Sequence, residues 1–508
     1  MGPELNPMPI RKRKSKNNWT TIIKNQATDF CLATGLHGYK YIVQNNRTKT
    51  ERFVWAGIVV ISFICSLTLM RIAYRYNTAH STLTVIKSTH HGIWNYHYPA
   101  VTICNNNQIS SRKVRDFVKN LELLGGLSRE FVLKEMRLLV ELLDPGVFEN
   151  EIHTNLTILQ DIFDANNHSV LGVMKMIQPD CTRLLKSCKW KGNSTPCHEL
   201  FEESYSRDGL CCSFNYLSSE TRINKNNEPR RLTACGYQTG LTILVDPEPN
   251  DYYSSLFGSY GVKVMLHHPH NYPDRSTEFK YVGMGVQVFL GMSPEDTQST
   301  PGVRGLPLKV RDCVFDNEKL PKTLQSLQSN FTWTRYSYTN CLNACRASTI
   351  LYKCGCIPYY MAQNAAYDTS WPGIEINSVD LTHSSIDLSN RPCGCLLDCT
   401  LARYPVDSTT GILSMSKFDD DQLFWRKVVE NKNTSLINVF FTDLVSIQYR
   451  RDVYYNWKNL FASFGGLLGL FVGFSIMSGF ELVYFFVVRV ITDRCIEERD
   501  RLSVTSFH

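Results

Sequence analysis

The sequence predicts a membrane protein in which two transmembrane helices flank a large, disulfide-rich ectodomain of α+β class. Three observations predict it: apolar runs near opposite ends of the 508 residues, fifteen of eighteen cysteines between them, and strand-like alternation beside helical periods in the intervening stretch. A composition of 43% hydrophobic and 20% charged residues is no disordered tail. It is also not that of a compact cytosolic enzyme once the apolar runs are counted. The net charge of +7 is carried by residues 1–52, which hold ten basic and three acidic side chains. The rest of the chain is balanced, so no basic surface for nucleic acid is expected on the folded body.

The first run, Phe53 to Ala73, holds one charge, Arg71, in 21 residues. About 20 suffice to cross a bilayer. It starts too late and runs too long for a signal peptide. Lys49, Arg52 and the run Arg11-Lys12-Arg13-Lys14 precede it, which places the N-terminus in the cytosol. The second run, Leu460 to Val488, spans 29 residues with one ionisable group, Glu481. As one helix it would reach over roughly 40 Å, so it must tilt, break or protrude, and its glycines suggest a break. The expected organisation is a cytosolic tail 1–52, a first span 53–73, an extracellular domain 74–455, a second span with the pore 456–488 and a cytosolic tail 489–508.

Oxidised thiols and glycosylation fit that sidedness. Sequons stand at Asn155, Asn167, Asn193, Asn330 and Asn433 in the outer segment. There, Ser81 to Thr89 reads as a strand with Leu83, Val85 and Lys87 on one face. Ser128 to Asp144 reads as a peripheral amphipathic helix. Val262, Val264 and Leu266 alternate in one strand, and Val282, Met284, Val286 and Val288 in another. The cysteines from 341 to 356 and from 393 to 399 are spaced like zinc ligands, yet an oxidising compartment favours disulfides that staple a rod-like pair of helices. His267-His268-Pro269-His270 reads as a surface loop rather than a metal site. His90, His91 and His97 read as a polar face rather than a proton sensor. Nucleophile elbows, phosphate loops and metalloprotease helices are absent from the sequence, so no catalytic residue and no cofactor is expected.

The second span carries the sharper signal. Gly465, Gly466, Gly469, Gly473, Ser475 and Gly479 interrupt bulky apolar residues, and Gly465, Gly469 and Gly473 recur every four positions on one helix face. Such a face permits close helix packing with no conduction, or an unwound backbone lining a pore. Glu481 is costly in lipid unless it meets water or a partner.

In chain order, His37-Gly38, Tyr98-Pro-Ala-Val-Thr-Ile-Cys104-Asn105, Gly209-Leu-Cys211-Cys-Ser-Phe-Asn215, Tyr336-Ser-Tyr-Thr-Asn-Cys341, Cys354-Gly-Cys356-Ile-Pro358 and the glycines of the second span resemble a degenerin/epithelial sodium channel subunit. The doubled Cys211-Cys212 and the Gly-Phe-Ser triplet most resemble the arthropod pickpocket branch. The resemblance implies a voltage-independent, amiloride-sensitive sodium channel with the trimeric fold of acid-sensing channels, gated through its ectodomain, in the plasma membrane of sensory or epithelial cells. Sodium ions as permeant, membrane lipids and related subunits of a homo- or hetero-trimer are the partners it implies. By position, Gly473, Phe474 and Ser475 become the selectivity filter and Ala462 the degenerin gate site. Gly465, Gly466, Gly469 and Glu481 become pore-lining, and His37 with Gly38 a cytosolic gating motif. The implied disulfides are Cys104–Cys211, Cys188–Cys197, Cys313–Cys399, Cys341–Cys395 and Cys345–Cys393, with Cys212–Cys235 as a further expectation. Phe474, Tyr484 and Val310 depart from acid-sensing members, which carry alanine, aspartate and tryptophan there. The rivals are a two-span ATP-gated channel, for which clustered basic phosphate ligands are lacking, and a non-conducting adhesion protein or ectoenzyme.

Overall fold

The computed structural model describes residues 19–123, 125–143, 150–217, 228–320, 335–355, 357–364, 394–413, 433–454 and 457–496. The chain divides into two compact units, one of residues 1–83 with 453–508 and one of residues 84–452.

In the first unit, the helix Lys49–Ala79 is apolar and long enough to cross a membrane. Its 31 residues extend about 46 Å, past both ends of the apolar run. Its start is fixed by a capping box: the Thr48 hydroxyl accepts from the Glu51 N–H at 3.3 Å, and the Glu51 carboxylate accepts from the Thr48 N–H at 3.2 Å. The second apolar run is two helices, Trp457–Val472 and Ile476–Ile496, which meet at 70°.

The second unit is built on three main sheets. A six-stranded one runs Val406–Ile412, Val286–Met292, Ser435–Phe441, Leu241–Val245, Leu185–Trp190, Asn193–Thr195. A five-stranded one centres on Ala100–Asn105, between Val262–His267 and Gly209–Phe214. A four-stranded one orders Thr82–Gly92, Val445–Val453, Glu295–Ser299, Leu401–Arg403. The first two share one apolar core around Tyr98, whose ring meets Trp190, Phe214 and Phe441 at 4.9–5.9 Å. Its buried hydroxyl donates to the Val439 carbonyl at 2.8 Å, which satisfies the one polar atom such a core would otherwise penalise. A second core is helical, joining Ser111–Lys119, Asn150–Ala165, Val170–Ile177 and the long helix Tyr338–Cys354.

Three sequence expectations change here. The segment 128–144 is not a peripheral helix: Arg129–Glu135 passes into a 3₁₀ stretch, Met136–Leu143, and Val132, Met136, Leu139, Val140 and Leu143 are buried in the helical core. Residue 144 lies outside the described residues. Val282 to Val288 is not one strand, because Gly285, at φ +70°, turns the chain between Glu278–Val282 in one sheet and Val286–Met292 in another. In the edge strand Thr82–Gly92, Leu83 and Lys87 are exposed and only Val85 is half-buried, because twist at a sheet edge breaks the simple alternation.

Five disulfides join Cys104–Cys211, Cys181–Cys212, Cys188–Cys197, Cys313–Cys399 and Cys341–Cys395. The expected Cys212–Cys235 bridge is corrected: Cys212 takes Cys181, across 31 residues, and Cys235 is a free, half-buried thiol. Cys345 is disulfide-bonded, while Cys393 and Cys356 lie outside the described residues, as does most of the stretch between the two cysteine groups. No zinc-type cluster exists among the described residues. Cys341–Cys395 closes a loop across 54 positions, which in the chain-entropy account contributes about 4 kcal/mol. The double change Cys341→Ser, Cys395→Ser is therefore expected to lower the amount of chain at the cell surface severalfold, read by surface biotinylation.

Candidate functional site

The break in the second apolar run is dictated by three residues. Gly473 adopts φ +72°, a left-handed conformation that stops a helix and suits glycine. Its N–H still reaches the Gly469 carbonyl at 2.9 Å, and the Phe474 N–H reaches back to Leu468 at 3.2 Å. Ser475 then starts the next helix, its hydroxyl accepting from the Ser478 N–H at 3.3 Å while the Ser478 hydroxyl accepts from the Ser475 N–H. Gly-Phe-Ser is thus a helix stop, a connecting residue and a helix start. The Phe474 ring turns inward to a cluster with Phe30, Leu36 and Val472, and Gly479 lies beside it.

Residues 34–38 fold against this break. The His37 N–H donates to the Val472 carbonyl at 2.9 Å, supplying a donor at the point where the helix has stopped supplying its own. The His37 ring lies where a side chain on Gly473 would stand, 2.7 Å from an added Cβ. Gly38 has φ +83°, and a Cβ there would meet Val59 Cγ2 at 2.8 Å. The sequence placed His37-Gly38 and Gly473-Phe474-Ser475 in separate roles; the fold puts them in contact.

A ladder that the sequence pattern does not show extends that contact. The helix Trp19–Ala33 lies along the inner piece of the second run, with Phe30 against Phe485 and Phe486 at 5.8 and 5.5 Å. Asp29 pairs with Arg489 at 3.0 Å, and Gln26 donates to Asp493 at 2.5 Å. At its top, the Thr34 hydroxyl donates to Glu481 Oε2 at 3.0 Å. Glu481 has the polar partner that an apolar surrounding demands.

On the outer piece, Ala462, Gly465 and Gly466 form an uncovered face, and added Cβ atoms on the two glycines would meet nothing within 4 Å. Gly469, half-buried, continues the stripe. The other side, Phe464, Leu467 and Leu468, is half-buried, and this helix packs on Lys49–Ala79.

In the second unit the histidine run is not a surface loop. His267 is buried, its Nε2 within 2.8 Å of the Thr102 hydroxyl and its Nδ1 within 3.0 Å of the His268 carbonyl. Burial pushes His267 and His270 down to about 4 and His268 well below its ordinary value, so all three are neutral at pH 7. The strand Val262–His267 runs inside its sheet, which is why its end is covered.

Among the sequons, Asn167 and Asn193 are exposed. Asn155 differs: its amide nitrogen, the atom a glycan would take, donates to the buried Glu135 carboxylate at 3.0 Å. Asn433 is half-buried and Asn330 lies outside the described residues.

The family profile described as amiloride-sensitive sodium channel matches residues 30–485, a range that contains the His37–Gly473 contact, the break and every disulfide. Sodium channel protein Nach of Drosophila ananassae is 25% identical over 469 residues, covering 92% of this chain and 87% of that protein. Pickpocket protein 28 of Drosophila melanogaster is 25% identical, with 92% and 79% covered. Acid-sensing ion channel 1 of Gallus gallus is 24% identical, with 89% and 82% covered. With a profile that spans most of its length and relatives that are ion channels rather than enzymes, the chain belongs to the amiloride-sensitive sodium channel family, the degenerin/epithelial sodium channels, on their pickpocket branch.

Proposed function

We propose that three copies of this chain, or this chain with related subunits, surround a sodium-selective, voltage-independent pore that amiloride blocks, in a plasma membrane with both termini cytosolic. One observation carries the reading: the helix break at Gly473-Phe474-Ser475 is seated on the His37-Gly38 loop, below a small-residue face that the chain itself leaves open. Unwound backbone at membrane depth needs protein or water around it, and a pore on a symmetry axis supplies the water. In this reading Ala462, Gly465, Gly466 and Gly469 line the outer pore. Gly473, Phe474 and Ser475 form the filter, and Glu481, held by Thr34, attracts cations below it. Phe474 differs from the alanine of acid-sensing members without narrowing the pore, since its ring packs into its own chain. The long bent span and the disulfide pattern of this family favour it over an ATP-gated channel or an adhesion protein.

The test is whole-cell current from the chain carrying Ala462→Val. A larger side chain on the open face obstructs closure, so resting current is expected to rise at least about threefold, corresponding to under 1 kcal/mol. The current should fall when a large organic cation replaces sodium and should be blocked by amiloride. Surface-labelled protein with no current, alone or with related subunits, would remove the reading.

Topology has its own check. Asn167→Gln and Asn193→Gln are each expected to remove one glycan step on a gel, whereas Asn155→Gln leaves mobility unchanged because its amide is occupied. Unglycosylated Asn167 and Asn193 in surface protein would contradict an extracellular second unit.

A further inference from the structure

A cavity of about 350 Å³ lies inside the second unit, at the low end of the ligand-pocket range and too small for a peptide. Its wall joins the four-stranded sheet, through Asp296, to the start of the helix Tyr338–Cys354, through Asp398. The rings of Tyr96, Tyr336 and Tyr404 form apolar wall, and their hydroxyls are spent on backbone carbonyls: Leu396 for Tyr336, His97 for Tyr404, and Ile447 for Tyr96. The charged groups in the wall are three carboxylates, Asp296, Asp316 and Asp398, against one guanidinium, Arg335.

Asp296 accepts from the Gln298 amide at 2.8 Å, and Asp398 from the Tyr338 N–H at 3.2 Å. Neither has an ion-pair partner among the described residues. Arg335, also in the wall, pairs with Asp316 at 3.3 Å, so the one guanidinium there is largely compensated. More distant cations act on each aspartate, Arg335 on Asp398, and Lys87 with His91 on Asp296. They do not offset burial. Desolvation raises Asp296 above the ordinary carboxylate range and pushes Asp398 up to about 6. His97 also lies in the wall. It bonds the Pro229 backbone, and burial with the nearby Arg231 moves it below the ordinary histidine value.

We propose that this cavity binds a small organic ammonium ion, whose charge the two aspartates balance and whose N–H groups they accept. An –NH3⁺ brings three donors and a positive charge to a wall where Asp296 and Asp398 have no ion-pair partner among the described residues, and the tyrosine rings suit an apolar or aromatic body. A metal ion is the poorer fit, since no three ligating side chains converge among the described residues. Asp296 lies on a strand paired in parallel with Val445–Val453, and binding there does not rest on the channel reading.

The experiment is thermal unfolding of the purified full chain in nanodiscs at pH 7.4, titrated with phenethylammonium and, separately, with neutral 2-phenylethanol. Phenethylammonium is expected to raise the midpoint saturably, by about 2 °C at tenfold excess over its dissociation constant. Asp296→Asn and Asp398→Asn, each isosteric, are expected to weaken the apparent affinity at least about tenfold. No saturable shift, an equal shift with the alcohol, or an unchanged affinity in both variants overturns the proposal. Two variants guard against one failing to fold. Because the readout needs no current, a silent channel that still binds and a conducting channel that does not are distinguishable results.

Discussion

Gly473→Ala is expected to cut the sodium current of the Ala462→Val channel more than about tenfold while leaving the amount at the surface unchanged. The backbone at φ +72° costs an L residue on the order of 1 kcal/mol. The added methyl would also lie 2.7 Å from His37 Cδ2, closer than carbon atoms tolerate. Relief requires the imidazole to move, and the His37 N–H that holds the Val472 carbonyl at 2.9 Å moves with it. A single methyl group therefore disturbs both sides of the break. Pairing the change with His37→Ala removes the clash but not the backbone cost, so partial recovery is expected. Undiminished current from Gly473→Ala would show that this contact does not govern conduction.

Gly38→Ser is expected to lower open probability about tenfold with single-channel conductance unaltered. Gly38 stands at φ +83°, and a Cβ would press on Val59 Cγ2 at 2.8 Å and on the Trp55 ring at 3.6 Å. Together these terms are worth on the order of 1–2 kcal/mol, a five- to thirtyfold change in a two-state ratio. The added Cβ meets Val59 and Trp55 of the first long helix rather than Gly473-Phe474-Ser475, hence the split between gating and conductance. Val59→Ala should restore part of the loss. Single-channel records with normal gating would refute the assignment.

Acidity offers a third, smaller effect. Asp398 has a folded value near 6 against 3.8 for the free acid, because desolvation outweighs the bond from Tyr338 and the pull of Arg335. The folded state thus holds the proton more tightly. The penalty is full above pH 6, shrinks as pH falls through that value and is gone below 3.8. Asp398→Asn should therefore stabilise the protein at pH 7.4 by about 1–2 kcal/mol, after discounting for solvent in the cavity, and have no such effect near pH 3.5. A gain that persists at low pH would point to another cause.

The long apolar helices were legible because hydrocarbon imposes a length and composition that few other environments do. The break was legible for a related reason: glycines at 465, 466, 469 and 473 are costly in an ordinary helix. Most disulfides followed from resemblance, but Cys181–Cys212 did not, since cysteine spacing alone leaves many pairings open. The histidine run misled because local polarity suggested a surface, whereas a sheet interior covered it. The helix Trp19–Ala33 went unseen although eight of its fifteen residues are apolar; what fixes its place are Asp29, Gln26 and Thr34, polar groups whose partners lie more than 440 positions away. No local pattern encodes a partner at that distance.

That distant pairing bears on how such subunits exchange parts. Residues 26–37 and 472–493 form one interlocked piece of machinery, with Phe30 on Phe485, Asp29 on Arg489 and Thr34 on Glu481. A chimera that imports a foreign second span without its native N-terminal segment would combine halves shaped for different mates, and a graft carrying both would keep them matched. Recombination within this family should accordingly tolerate swaps of the middle of the chain better than swaps of either end alone.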